Sequence, residues 1–353
     1  MEIKHKKWVD TVHRVRGEVE TRLDKVRLDK NERVSLLRDE FWRDLISKIR
    51  QEHILAYPEA EPFYSKLADF LGVSTENLVV TAGADFAIKI AFELFVNPGD
   101  EVITLSPTFA MIDVYSDLYN AEKVRIGYDS NLSLDIEKLT DAINENVSLI
   151  IIANPNSPTG TYVNNYAIEQ ILEKAQRYSI PVLIDEAYWG FCPHSAFDLL
   201  NSYENLIIVR TFSKTAGLAG LRIGYTLSSK KIASLLYKFR PMYEVNSVAI
   251  LFALNILDNW NIVDDYIAEA ENGKRWLLQE LGNMSFRTID TCTNFIHVDF
   301  GKDRDNILRL FKENDILIRG GLGVKGYENY IRISIGAITE MRKITDCILS
   351  RLV

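Results

Sequence analysis

Only three cysteines, Cys192, Cys292 and Cys347, occur in the 353-residue sequence. They stand far apart without CxxC or metal-finger spacing, which excludes a disulfide framework and fits a reducing compartment. No apolar run approaches the roughly 18 residues that a membrane helix needs. The opening stretch MEIKHKKWVDTVHRVRGEVE is charged throughout and has no secretory apolar segment. A cytoplasmic protein without membrane partners is therefore expected. A basic cluster is missing as well: the net charge of −8 is dispersed, which argues against nucleic acid as a partner. His5, His13, His53 and His194 have no metal-ligand spacing, so no metal is expected. The glycines at 217, 220 and 224 do not form GxGxxG, so a dinucleotide fingerprint is absent. Neither an internal repeat nor a low-complexity segment interrupts the chain.

What is present is an ordinary globular composition, 47% hydrophobic and 25% charged. Short apolar runs alternate with longer helical patterns, the pattern of a parallel α/β sheet. Strands are expected over 77–83, 100–107, 147–155, 181–188 and 205–212. Helices are expected over 84–95 and 164–179. The continuous apolar run at 149–152 fits a strand covered on both faces. The last third changes character, with alternating segments at 292–300, 315–321 and 328–336 around a helical 303–314. That is the pattern of a smaller α+β unit. A long helix through 230–257, broken or kinked at Pro241, is expected to join the two. The first fifty residues are expected to form an arm and a helix that return to the smaller unit.

In open α/β sheets ligands collect beyond the carboxyl ends of the strands. The polar residues at those ends are Gly83-Ala84-Asp85, Asn154-Pro155-Asn156, Asp185 with Tyr188, and Thr211-Ser213-Lys214. The turn at Gly83 opens a helix, where free N–H groups favour an anion such as phosphate. Thr211 and Ser213 add hydroxyls, and Arg222 adds a fixed positive charge. Asp185 follows the apolar run PVLI, so its carboxylate needs a cationic partner or strong donors there. Taken alone it could equally be a helix N-cap or half of a structural ion pair. Lys214 becomes a nucleophile if burial or a nearby cation lowers its pKa, although a loop lysine by itself is usually just solvated. A phosphate cradle, a carboxylate for a pyridinium nitrogen and an imine-forming lysine are the parts that pyridoxal phosphate (PLP) requires. His297, inside an alternating strand, reads as structural.

The stretches NPNSPTG (154–160), IDEAY (184–188) and RTFSKTAGLAGLRIGY (210–225) resemble class I/II PLP-dependent aminotransferases, and more narrowly the histidinol-phosphate aminotransferase branch. LDKNE (28–32), YPE (57–59), GADFAI (83–88), PGDEVITLSPTF (98–109) and IRISIG (331–336) continue the likeness in the same order. The resemblance implies fold type I: a large domain with a mostly parallel seven-stranded sheet plus a smaller α+β domain. It implies an arm with part of the small domain over 1–48, a PLP-binding domain over 49–240 and a small domain over 241–353. By the same resemblance Lys214 carries the cofactor as a Schiff base and shuttles the proton. Asp185 keeps the pyridine nitrogen protonated, Tyr188 bonds the ring's O3′ and Phe109 stacks on the ring. Ser213 and Arg222, with the turn at Gly83, Ala84 and Asp85 and with Thr211, hold the phosphate. Tyr57 reaches the neighbouring subunit's phosphate site, which implies a homodimer. Arg332 takes the substrate carboxylate, Asn31 lies on the substrate side, and Arg319, thirteen residues before Arg332, takes a second substrate anion.

Two departures stand out. The family asparagine directly before PTG is Ser157 here, so its O3′ contact is shorter-reaching or passes to Asn156. After Asn31-Glu32 the family runs into proline and small residues, whereas this chain reads RVSLL. The implied function is an aminotransferase moving an amino group between an amino acid and a keto acid, with a phosphorylated or otherwise anionic substrate. A decarboxylase of phosphorylated amino acids would use the same lysine, aspartate and arginines. A catalytically dead or DNA-binding regulator is disfavoured by the presence of Lys214 and Asp185 and by the charge.

Overall fold

A computed structural model describes residues 3–14 and 21–350. The outermost residues of the expected arm and small domain (1–2, 15–20 and 351–353) lie outside the described residues. In chain order the strands are β1 (Val26–Arg27), β2 (Leu78–Thr81), β3 (Glu101–Ser106), β4 (Glu122–Gly127), β5 (Val147–Ala153), β6 (Val182–Asp185), β7 (Leu206–Thr211), β8 (Gly224–Ser228), β9 (Arg287–Ile289), β10 (Phe295–Asp299), β11 (Ile316–Leu317), β12 (Arg319–Gly320) and β13 (Tyr330–Ser334). Seven of them form one sheet in the order β2-β8-β7-β6-β5-β3-β4. Only β8 runs against its neighbours β2 and β7; the remaining pairs are parallel.

Alternate residues of the central strands enter two different cores. Ile150, Ile152, Ile184 and Ile208 face one side, and Leu149, Ile151, Leu183 and Ile207 face the other. Helices cover both faces, which is why these strands read as continuous apolar runs. Local signals set the helix ends. Asn164 caps Asn165–Arg177 by accepting from Ala167 N–H at 2.9 Å, and Asn246 caps Ser247–Asp258 by accepting from Ala249 N–H at 2.8 Å.

The smaller sheet has the order β12-β13-β10-β9, antiparallel throughout, and β1 pairs with β11 in parallel. Its core combines Leu28 with residues of the helices Asn261–Asn283, Arg304–Glu313 and Ile338–Leu349.

The helix expected through 230–257 is broken at Pro241, which has no N–H to continue the first part, so Lys230–Phe239 and Ser247–Asp258 are separate helices. The second of them packs Ala249, Phe252, Ala253 and Ile256 into the core of the large sheet, so residues 247–258 pack with that sheet although they follow the expected boundary at 240. The early arm divides as well. Val26 and Leu28 join the small core, whereas the helix Asp39–Ser47 puts Leu45 into the large one. Strands β4 and β8 were not foreseen. The first is a mostly solvent-facing edge, and the second follows a glycine-rich stretch with little apolar signal.

Candidate active site

The carboxyl ends of β2, β5, β6 and β7 open into one cavity of about 700 Å³ that also reaches the small sheet and the arm. Its lining includes Asn31, Ala84, Asp85, Phe109, Ser157, Asp185, Tyr188, Thr211, Ser213, Lys214, Arg222, Arg319 and Arg332. Of the expected site residues, only Gly83, Asn156 and Tyr57 are not in the lining.

Asp185 ends β6 and is buried. Ala187 N–H donates to Asp185 Oδ1 at 3.0 Å. Burial pushes the Asp185 carboxyl up to about 7, and the neighbouring Glu186 charge adds to that push. The segment after it is nailed down by a fully buried ion pair. Arg210 Nε donates to Glu186 Oε2 at 2.9 Å, while Glu186 also accepts from Ser195 Oγ and from Ala196 N–H. Arg210 lies 4.0 Å over the Trp189 ring. Breaking such a pair by removing one partner typically costs about 3–5 kcal/mol, so the position of Asp185 and Tyr188 is rigidly defined.

Lys214 follows β7 and is half-buried; its Nζ donates to Lys30 O at 2.8 Å. Burial lowers the Lys214 pKa, and the positive charges of Arg332 and Arg222 lower it further. Tyr188 is buried, its ring 5.8 Å from Lys214 Nζ, and its oxygen accepts from Asn31 Nδ2 at 2.7 Å. Asn31 is itself fixed by Ser334, whose Oγ accepts from Asn31 N–H at 3.0 Å and donates to Asn31 Oδ1 at 2.9 Å.

The anion cradle sits at the start of the helix Ala84–Phe95, after Gly83 with φ +84°. A side chain at Gly83 would lie 2.8 Å from Arg222 Nη2, so the glycine lets that guanidinium close on the turn. Ser213 Oγ accepts from Thr211 Oγ1 at 2.9 Å and from Arg222 Nη1 at 3.4 Å. Asp85 Oδ1 is held aside by Tyr115 Oη at 3.0 Å. On the outer side of the turn, Glu244 accepts from Ala82 N–H, and burial pushes its carboxyl up to about 7.

On the small-domain side Arg332 is buried. Its Nη2 donates to Asp29 O at 2.8 Å and its Nη1 to Ser157 Oγ at 3.3 Å, and its buried Nε has no partner among the described residues. One expectation changes here. The side chain of Asn156 does not reach into the cavity: it bonds Pro107 O, Thr159 Oγ1 and Thr108 Oγ1, which folds the loop. Ser157 meets Arg332. Tyr57 is 75% exposed and stacks on Tyr243 at 4.3 Å, outside the cavity. The sequence reading missed Arg22, Arg27, Lys30, Glu32 and Arg33, all of which line the cavity. Arg22 pairs with Asp29 at 2.6 Å and with Glu32 at 3.0 Å, pinning the arm across the mouth. For Lys30, Glu32 and Arg33 the dense charge of LDKNER was the available signal.

A second crevice of about 710 Å³ lies beside the loop at 159–164, but its buried cation, Lys274, already donates to Thr291 O and pairs with Glu271 and Asp290. The chemistry concentrates in the first cavity.

The residues present suit PLP. An anion cradle faces a depressed-pKa lysine, and a buried carboxyl that forms no ion pair among the described residues stands ready for a pyridinium nitrogen. Comparison with known proteins agrees. The family described as aminotransferase class I and II matches residues 25–348. A histidinol-phosphate aminotransferase from Dehalococcoides mccartyi (strain ATCC BAA-2266 / KCTC 15142 / 195) is 35% identical over 312 residues, 87% of this chain and 84% of that one. One from Thermoanaerobacter sp. (strain X514) is 31% identical over 315 residues, 88% of each. Among solved structures, histidinol-phosphate aminotransferase from Sinorhizobium meliloti in complex with pyridoxal-5'-phosphate superposes with a TM-score of 0.82, at 26% identity, over 92% of this chain and 91% of that one. The chain thus belongs to the class I and II aminotransferases and has their fold type I architecture. These relatives bear the name aminotransferase, which favours transamination over decarboxylation for the residues described.

Proposed function

We propose that this chain is a PLP-dependent aminotransferase whose substrate carries a phosphate or carboxylate for Arg332 and a second anion for Arg319. The observation that carries the proposal is the pairing, in one cavity, of a carboxyl held near neutrality (Asp185) with an amine destabilised as a cation (Lys214). When bound, the cofactor supplies an electrophilic carbon for amines and an electron-accepting ring. The free N–H groups after Gly83, the hydroxyls of Thr211 and Ser213 and the Arg222 guanidinium hold its phosphate. Asp185 accepts from the ring N–H and becomes a carboxylate stabilised by that cation. Tyr188, whose oxygen already accepts from Asn31, keeps its O–H to donate towards O3′. Phe109 walls one side of the ring. Lys214 Nζ, readily neutral, would take the proton from the substrate α-carbon and hand it to the cofactor's electrophilic carbon, on the far side of the amino nitrogen. Arg332 and the pinned arm orient that carbon and exclude water.

Further parts of the proposal are a homodimer and a cytoplasmic setting. Ile54, Leu55, Tyr57 and Met242 are 71%, 80%, 75% and 76% exposed, and the Tyr57–Tyr243 stack joins the two segments into one apolar surface. Free Cys192, Cys292 and Cys347 suit a reducing compartment. Among the described residues no helix is long and apolar enough to cross a membrane. As domains, we propose an arm, a large domain reaching to about residue 258 on packing grounds and a small domain beyond it.

The test is the visible absorption of purified protein during addition of amino acids and amino phosphates, histidinol phosphate included. Conversion of the lysine-bound cofactor to its amine form names the donor and supports the proposal. Release of carbon dioxide without that conversion replaces it with decarboxylation, and the absence of any cofactor absorption refutes it. Sedimentation at micromolar concentration reads the dimer.

A further inference from the structure

His297 lies on β10, fully buried (0% exposed) and directly opposite Arg332 on β13. Its Nε2 is 2.8 Å from Pro158 O. A carbonyl oxygen only accepts, so Nε2 carries the proton, and Nδ1 is left as a buried acceptor without a partner among the described residues. Burial holds the ring's pKa down to about 3, with the Arg332 charge pushing the same way. The imidazole is therefore a neutral donor, the one form that tolerates a guanidinium across the strand pair.

Pro158 follows Ser157, whose Oγ accepts from Arg332 Nη1. A serine hydroxyl sits one bond beyond Cβ, so its place is dictated by the backbone in a way that a longer asparagine amide escapes. The loop is tied upstream by Asn154, which bonds both N–H and O of Val163. It is tied downstream where Gly160 abuts Thr291. Between those ties His297 holds the Pro158 carbonyl. We propose that His297 is a positioning residue for anion recognition: its Nε2–H anchors the Pro158 carbonyl, which sets the Ser157 hydroxyl against Arg332. With Nη2 on Asp29 O and Nη1 on Ser157, the guanidinium plane is fixed, and the second N–H of each Nη remains as a donor for a carboxylate or phosphate. This rests on the anion-binding role proposed above for Arg332.

The experiment titrates the holoenzyme calorimetrically with succinate, glutarate and glycerol phosphate, carrying the best-bound anion to the variants. His297→Leu and Ser157→Ala are each expected to raise its Kd about tenfold, the loss of one aligned hydrogen bond to a charged group. The double variant is expected to lose no more than either single one, because both act through the same contact. His297→Gln keeps an N–H donor and is expected to stay within about threefold of wild type. Nitrogen-15 spectra should show His297 as the neutral Nε2–H form, shifting when the anion binds. A folded His297→Leu protein with wild-type affinity, or losses that add in the double variant, overturns the proposal. If that variant does not fold, an imidazole signal that fails to move on saturation overturns it instead. Should the wild type bind none of the three anions, Arg332 is not an anion site, and the functional proposal fails together with this one. Wild-type binding that is indifferent to His297 removes only the positioning role.

Discussion

Arg319 and Arg332 are direct partners across the antiparallel strands β12 and β13. Like charges so placed destabilise a sheet. Arg332 is buried, and its pKa is lowered first by that burial and then by Arg319. The oxygens bonded to it, Asp29 O and Ser157 Oγ, are neutral. An anion lying between the two guanidinium groups relieves that repulsion.

Replacing the fork with a point charge tests this. Arg332→Lys keeps the charge but loses bidentate geometry, and substrate affinity is expected to fall by about ten- to a hundredfold. Arg319→Ala should weaken only substrates with a distal anion, by about tenfold. Steady-state kinetics on paired substrates with and without that group checks it. Equal losses for both members of a pair would remove Arg319 from recognition.

Lys214→Ala is expected to abolish the visible absorption of lysine-bound cofactor and to lower turnover by several orders of magnitude. The fold should survive, since among the described residues Lys214 Nζ has only the Lys30 carbonyl as its hydrogen-bond partner. An absorption spectrum, circular dichroism and a single-turnover assay together decide it. Turnover within tenfold of wild type would mean that another amine does the chemistry.

Much of this site was legible in sequence because each β-strand is an apolar run ending in a polar residue, and parallel strands bring such ends together. Asp185, Ser213 and Lys214 could be read that way. Contacts closed by the small domain could not. Arg332 meets Asp29 across 303 residues of chain, and Asn31 meets Ser334 across the same separation. No local pattern encodes such pairings. The asparagines of NPNSPTG serve the loop itself: Asn154 bonds Val163 and Asn156 bonds Thr159 nearby, while Asn156 also bonds Pro107, 49 residues back, a contact that no local pattern encodes. Edge strand β4 carries little apolar signal because only one of its six residues, Ile126, is buried.

Asp185 gives a pH-dependent prediction. Its folded pKa is about 7 against 3.8 for the ordinary group, so the proton is held more tightly in the fold. Its contribution to stability is whole below about 3.8 and is lost as pH rises through 7. In cofactor-free protein Asp185→Asn, which does not titrate, should gain on wild type between pH 4 and pH 8 by on the order of a few kcal/mol. In holoenzyme the cation on the ring reverses the preference, and the same substitution should cut the rate by orders of magnitude. Thermal denaturation of both forms at the two pH values measures it. An identical stability difference at both would show that Asp185 ionises freely.

Gly83→Ala isolates the cradle from the chemistry. Gly83 has φ +84°, a conformation that costs a residue with Cβ roughly 1–3 kcal/mol. The added methyl would also sit 2.8 Å from Arg222 Nη2, the movable end of a side chain, so the arginine rather than the backbone gives way. Once displaced, Arg222 loses its contact with Ser213, and one cation leaves the phosphate site. Cofactor affinity is therefore expected to fall at least about tenfold, the scale of one charge-assisted hydrogen bond. The rate at saturating cofactor should change little, because Lys214 and Asp185 keep their places. Equilibrium dialysis of the cofactor against the variant, paired with turnover at saturation, separates the two effects. An unchanged affinity would place the phosphate elsewhere than on the turn at Gly83, whereas a rate loss that excess cofactor fails to restore would mean that the turn also shapes the reacting geometry.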